Sequence, residues 1–141
     1  ATGRIAKHFK REVIYPMHPR TKSKLTSFET PQGVRIMDPL GFYDFNHLLK
    51  ESFCVVSDSG TAAEEGLFYK VPNVSLRMAT ERPETVESGA TIISGMDSNN
   101  IVESVETAVS LPWSANYDFA ADHSPSSVVI NSIRSQITNF F

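Results

Sequence analysis

One cysteine, one tryptophan and no long apolar run set the first limits on this chain of 141 residues. A lone thiol, Cys54, can close no internal disulfide and no cysteine-rich zinc site, which makes a reducing cytoplasm the simplest compartment. No stretch approaches the roughly 20 apolar residues that cross a bilayer. The opening ATGRIAKHFKREV lacks the apolar core of a signal peptide. Charge of one sign is scarce too: 13 Lys and Arg against 16 Asp and Glu leave a net charge of -3. A general electrostatic hold on nucleic acid or anionic lipid is therefore not expected, and neither is counted among the partners. The chain starts without Met, and the expectation is that it begins inside a longer protein.

What is present points to one folded domain over residues 1–141. Hydrophobic residues make up 40% and charged residues 21%, close to the globular norm, and this length buries a real core. Short runs rich in Val and Ile alternate with stretches of helical spacing. Strands are predicted at Val13-Ile14-Tyr15-Pro16-Met17, Val34-Arg35-Ile36-Met37, Phe53-Cys54-Val55-Val56, Val74-Ser75-Leu76 and Thr91-Ile92-Ile93. The third is almost uniformly apolar, as a strand covered on both faces should be. Helices are predicted over 21–28, after Pro39 with Phe42, Phe45, Leu48 and Leu49 on one face, over 62–69, near Pro83, over 99–110 and over 126–139. Strand alternating with helix in this way indicates an α/β domain with a mostly parallel sheet of about five strands flanked by helices.

In open α/β sheets, ligands bind beyond the carboxyl ends of the strands. Two segments place polar residues there: Met17-His18-Pro19-Arg20 and Ser57-Asp58-Ser59-Gly60-Thr61. The second opens a helix, where unpaired backbone N–H groups and the positive dipole end favour an anion. Gly60 allows close backbone approach, and Ser59 and Thr61 add hydroxyl donors. The simpler alternative is that Asp58 or Ser59 is only a helix N-cap. Glu64-Glu65 adds weight to the first reading. Adjacent carboxylates on a helix point to different sides, so one can face the strand ends, where an acid suits the hydroxyls of a ribose. A phosphate-accepting turn followed by a ribose-accepting acid describes a nucleotide pocket.

The run SDSGTAAEE from Ser57 to Glu65, then Val74-Ser75-Leu76-Arg77 and Thr80-Glu81-Arg82-Pro83-Glu84, resembles the UDP-N-acetylglucosamine 2-epimerase family. His18-Pro19-Arg20, Pro39-Leu40, and Gly89 ahead of a strand ending at Gly95 fit the same pattern. The likeness covers about residues 5–110. Thr61 in place of a second glycine, with His-Pro-Arg-Thr upstream, resembles the branch acting on UDP-2-acetamido-2,6-dideoxy-L-talose in surface polysaccharide precursor synthesis. The resemblance implies a Rossmann-like C-terminal half of a GT-B architecture, a UDP-sugar substrate and no cofactor or metal. It also implies a partner N-terminal domain of the same enzyme. On that resemblance Ser59, Gly60 and Thr61 contact the diphosphate, Glu65 the ribose, and Leu40 to Phe42 the uracil. Arg82 lies by the diphosphate or the cleft, and His18, a tentative catalytic group, by the cleft. The implied reaction eliminates UDP to a glycal and adds it back with C2 inverted.

Each of these residues has a plainer reading. His18 can be a turn residue with a satisfied imidazole, and Arg77 and Arg82 can be surface pairs with neighbouring glutamates, worth ~0–1 kcal/mol. Arg20, Lys22 and Lys24 read as a solvated basic face. His8, His47 and His123 lack metal-ligand spacing, Cys54 reads as an inert core thiol, and Trp113 and Tyr117 as packing for a long loop. Two other functions share the pattern: the nucleotide-sugar half of a GT-B glycosyltransferase, and a non-catalytic UDP-sugar sensor. The resemblance further implies a lost first strand, which in a doubly wound sheet lies centrally. The expectation is either a sheet that closes over the gap or self-association through open edges, hence a homo-oligomer.

Overall fold

The computed structural model describes residues 1–24 and 29–111, with Ser126, Ser127, Val129, Ile130, Ile133 and Arg134, which are helical. The expected final helix is thus seen only at those positions, and Trp113, Tyr117 and His123 lie outside the described residues. The elements run α1 (Thr2–Phe9), β1 (Val13–Pro16), α2 (Pro19–Lys24), β2 (Val34–Met37), α3 (Phe42–Lys50) and β3 (Val55–Ser57). There follow α4 (Gly60–Tyr69), β4 (Asn73–Ser75), α5 (Pro83–Glu87), β5 (Thr91–Ile93) and α6 (Ser98–Ser110). Every strand pair among the described residues is parallel, as the alternation of strand and helix requires. The α/β class, with a Rossmann-like parallel sheet between helices, is the expected one.

The sheet is divided. β1 pairs with β2, and β3, β4 and β5 form a separate ladder in that order. β1 and β3 do not pair, so the sheet does not close over the expected gap. This also explains a second difference. The third strand was expected to be covered on both faces from Phe53, but it begins at Val55, where Val55 N–H donates to the Pro72 carbonyl at 2.9 Å. With β4 on one side only, its residues are half-buried, whereas the central β4 is buried throughout.

The core gathers where α6 crosses β4. Asp97 caps α6 by accepting from the Asn99 and Asn100 N–H groups, and the helix then buries Ile101, Val105 and Ala108. Those positions recur at four and three residues, one stripe of the helix. Val105 and Ala108 meet Val74, with Phe9, Cys54, Val56, Ile92 and Val109 packed around them. Burial pushes the Cys54 thiol up to about 12, so it stays neutral, as read.

On α3 the buried residues are Asn46 and Leu49, while Phe42, assigned to the inner face, is 69% exposed. The reason is its position. Phe42 is the first residue of the helix, one step past Gly41, and Asn46 Nδ2 reaches back to its carbonyl at 2.9 Å. α1, which was not predicted, packs on β1, β2 and α6. Gly33 permits this approach: it has φ +79°, and a Cβ there would lie 2.9 Å from Ala6 Cβ.

Candidate nucleotide-sugar site

β3 and β4 run side by side, so the loops that leave their carboxyl ends are neighbours. The β3–α4 turn is held by its own serines. Ser57 Oγ accepts from Ser59 N–H at 3.1 Å, and Ser59 Oγ accepts from Ala62 N–H at 3.4 Å. Ser59 is thus the N-cap of α4, as the simpler reading had it, with φ -82° and ψ 126°. Capping and anion binding are compatible here. The cap takes Ala62 N–H and leaves those of Gly60 and Thr61 at the helix start, where the dipole is positive.

The β4–α5 loop folds over this turn. Arg77 Nε donates to the Asp58 carbonyl at 2.6 Å, and its Nη1 donates to both Glu81 oxygens at 2.6 and 2.5 Å. Thr80 Oγ1 accepts from Arg82 N–H at 3.0 Å, setting Arg82 as the N-cap residue of α5 ahead of Pro83. The Arg82 side chain returns to α4, where Nε pairs with Glu64 Oε1. The charges are in contact but poorly aligned, so this buried N–H has no acceptor in hydrogen-bonding geometry. Gly60 lies beneath both arms: a Cβ there would be 3.4 Å from Glu81 Oε1 and 3.8 Å from Arg82 Cγ and Nε.

Glu64 and Glu65 are divided as their 100° separation requires. Glu64 turns to Arg82. Glu65 is half-buried, and burial first, then the charge of Glu64, raises its carboxyl above the ordinary value. The Arg77 guanidinium, mainly through its hydrogen bond, holds Glu81 below the usual carboxylate range.

Ser59, Gly60, Thr61, Glu64, Glu65, Arg77, Glu81 and Arg82 therefore share α4 and the loop above it. The other predicted residues belong to the ends of β1 and β2. His18 is exposed, and its Nδ1 accepts from Arg20 N–H at 3.2 Å, the turn geometry of the plainer reading. Leu40 is half-buried in the β2–α3 loop, and the Phe42 ring meets Tyr43 edge-on at 5.5 Å. Arg20, Lys22 and Lys24 are exposed on α2, with Lys22 Nζ bound to Asp38 Oδ1 at 2.9 Å. Among the described residues no three His, Cys, Asp or Glu side chains are grouped to hold a metal, and no helix is long and apolar enough to cross a membrane. Sequence reading missed Glu81 as a neighbour of the turn, because its place depends on Arg77 reaching across to Asp58.

This arrangement is a parallel α/β unit with a serine-capped helix start and a nearby acid, the candidate site. Residues 1–126 match the family profile of UDP-N-acetylglucosamine 2-epimerase, and the chain belongs to that family. It is 38% identical over 108 residues to the UDP-N-acetylglucosamine 2-epimerase of Methanococcus maripaludis, covering 72% of this chain and 30% of that protein. It is 35% identical over 97 residues to the UDP-2,3-diacetamido-2,3-dideoxy-D-glucuronate 2-epimerase of Pseudomonas aeruginosa, covering 69% and 27%. The fold superposes on the Methanocaldococcus jannaschii UDP-GlcNAc 2-epimerase, solved in complex with UDP-GlcNAc and UDP, with a TM-score of 0.77. That match has 31% identity and covers 94% of this chain and 38% of the other. The chain thus spans about 30% of the length of the first of these relatives.

Proposed function

We propose that this chain is the UDP-binding half of an enzyme that inverts C2 of a UDP-N-acetylhexosamine. The observation that carries the reading is the α4 start: a capped turn with two free helical N–H groups, a close-approach glycine, and a half-buried acid on the same helix. Gly60 and Thr61 N–H, with the Ser59 and Thr61 hydroxyls, take the diphosphate, and Arg82 exchanges part of its contact with Glu64 for a phosphate oxygen. Glu65 accepts from the ribose hydroxyls. Leu40 and the exposed Phe42 frame the uracil, and His18 faces the cleft.

The reaction is redox-neutral. A base removes the C2 proton while the C1–O bond to UDP breaks, giving a glycal. A proton then arrives at C2 from the other face and UDP re-forms the C1–O bond. This half holds the leaving group, and an N-terminal domain supplies most proton-transfer groups. Relatives named for two different UDP-sugars support the C2 inversion rather than a single hexosamine. The setting we assign is a cytoplasmic homo-oligomer in polysaccharide precursor synthesis.

The test is exchange in deuterated water with the UDP-sugar. The full-length protein should place deuterium at C2, and the 141-residue chain should not. No incorporation by the full-length protein refutes the epimerase reading. Incorporation by the chain alone refutes the division of labour between the halves.

A further inference from the structure

For a site meant to take a diphosphate, the α4 start stands among many acids. Asp58, Glu64, Glu65 and Glu81 occupy the turn, the helix and the loop above, and Glu84 the first turn of α5, against Arg77 and Arg82. Arg82 is already engaged with Glu64. Glu81 matters most, because its Oε1 stands 3.4 Å from the position of a Cβ on Gly60. A bare carboxylate at that point would face the phosphates across a few ångströms and repel them.

Arg77 answers this charge. Its Nη1 donates to both Glu81 oxygens, and its Nε donates to the Asp58 carbonyl two residues before Gly60. The carbonyl contact keeps the guanidinium on the turn, so Glu81 is neutralised in place rather than swung away. Resting on the UDP-binding reading above, we infer that Arg77 is a positioning residue that masks Glu81 and so keeps the α4 start attractive to a nucleoside diphosphate. The planar fork is what the role needs: a lysine ammonium presents a point charge and cannot hold the carbonyl and both carboxylate oxygens in one plane. The side chains of Arg77 and Glu81 are 35% and 56% exposed, so water screens the pair in part and the masking is sensitive to salt.

The experiment compares UDP with uridine by calorimetric titration into the full-length protein. Uridine uses the ribose and base contacts but brings no phosphate to Gly60. Arg77→Met should weaken UDP at least tenfold and uridine less than threefold, with the UDP loss shrinking at high salt. Removing the unmasked charge should then rescue binding: Arg77→Met with Glu81→Gln should regain most of the UDP affinity, and Glu81→Gln alone should change it less than threefold. Arg77→Lys, which keeps the charge and the stem, should lose less than Arg77→Met and serves if the latter does not fold. Equal losses of UDP and uridine, or no rescue by Glu81→Gln, overturn the inference. If the unsubstituted protein does not bind UDP, the nucleotide reading fails and this one with it. If it binds and the Arg77 variants bind UDP equally well, the masking role alone fails.

Discussion

Gly60→Ala should move stability and affinity in opposite directions. Gly60 is the first residue of α4 and its φ is not positive, so alanine can adopt the same backbone. The added methyl would sit 3.4 Å from Glu81 Oε1 and 3.8 Å from Arg82 Cγ and Nε, all ordinary van der Waals contacts. Nothing in the unliganded protein need shift. Glycine costs a helix about 0.5–1 kcal/mol relative to alanine, chiefly through the freedom it retains when unfolded. A gain of about 0.5 kcal/mol is expected at this terminal position, a rise of about 2 °C in Tm. With UDP bound, the same methyl stands where a phosphate oxygen must approach the backbone. Loss of one hydrogen bond to a charged acceptor is worth ~1.5–3 kcal/mol, or roughly ten- to a hundredfold in affinity. Thermal unfolding without ligand and titration with UDP read the two effects separately. A fall in Tm would mean that the turn is strained in a way these contacts do not show. Unchanged UDP affinity in a fully folded variant would mean that no phosphate approaches Gly60, and the site would have to be placed elsewhere.

Further outcomes concern Glu65 and Thr91. Glu65→Gln should weaken UDP about ten- to a hundredfold at neutral pH by trading a charged acceptor for a neutral one. Because burial and Glu64 raise the Glu65 carboxyl, the native protein should lose UDP affinity as pH falls through a value above the usual carboxylate range, and Glu65→Gln should remove that component when the two titrations are compared. The linked stability has the opposite dependence: the folded state holds this proton more tightly than the unfolded one, so the contribution of Glu65 declines as pH rises from the unfolded to the folded value. Thr91→Val should stabilise the protein by about 1 kcal/mol in thermal or urea unfolding, since it replaces a hydroxyl that is buried without a partner by an isosteric methyl; a lower Tm would show that the hydroxyl is satisfied after all.

The local features of this chain were the legible ones. β2 and β5 fall where the Val- and Ile-rich runs put them, because turns at Gly33 and Gly89 bound those runs closely. Ser59, Gly60 and Thr61 were readable as a helix start because a cap and its helix are adjacent in sequence. β3 was misplaced by two residues because an apolar run marks burial, whereas the ladder begins where a distant partner, Pro72, presents its carbonyl. The two arginine arms were hidden for the same reason. Arg77 reaches Asp58 and Arg82 reaches Glu64 only because β3 and β4 are neighbours, which no spacing along the chain declares. α1 was a different kind of miss. Ile5, Ala6 and Phe9 trace one helical face, but the segment lacks a side-chain N-cap and an acidic first turn, the usual signs that a helix has begun.

That short helix has a role larger than its eight residues suggest. Among the described residues the two ladders share no backbone hydrogen bonds, so their connection passes through side chains. α1 lies over the β1–β2 pair, with Ala6 beneath Gly33, while Phe9 reaches the cluster of Val74, Val105 and Ala108 and meets the Phe53 ring at 5.8 Å. The helix works as a keystone: one end is seated in the smaller ladder, and the other is wedged into the core of the larger. The Phe9 ring, with the His8–Glu106 pair beside it, is thus a link through which loss of one ladder is felt by the other.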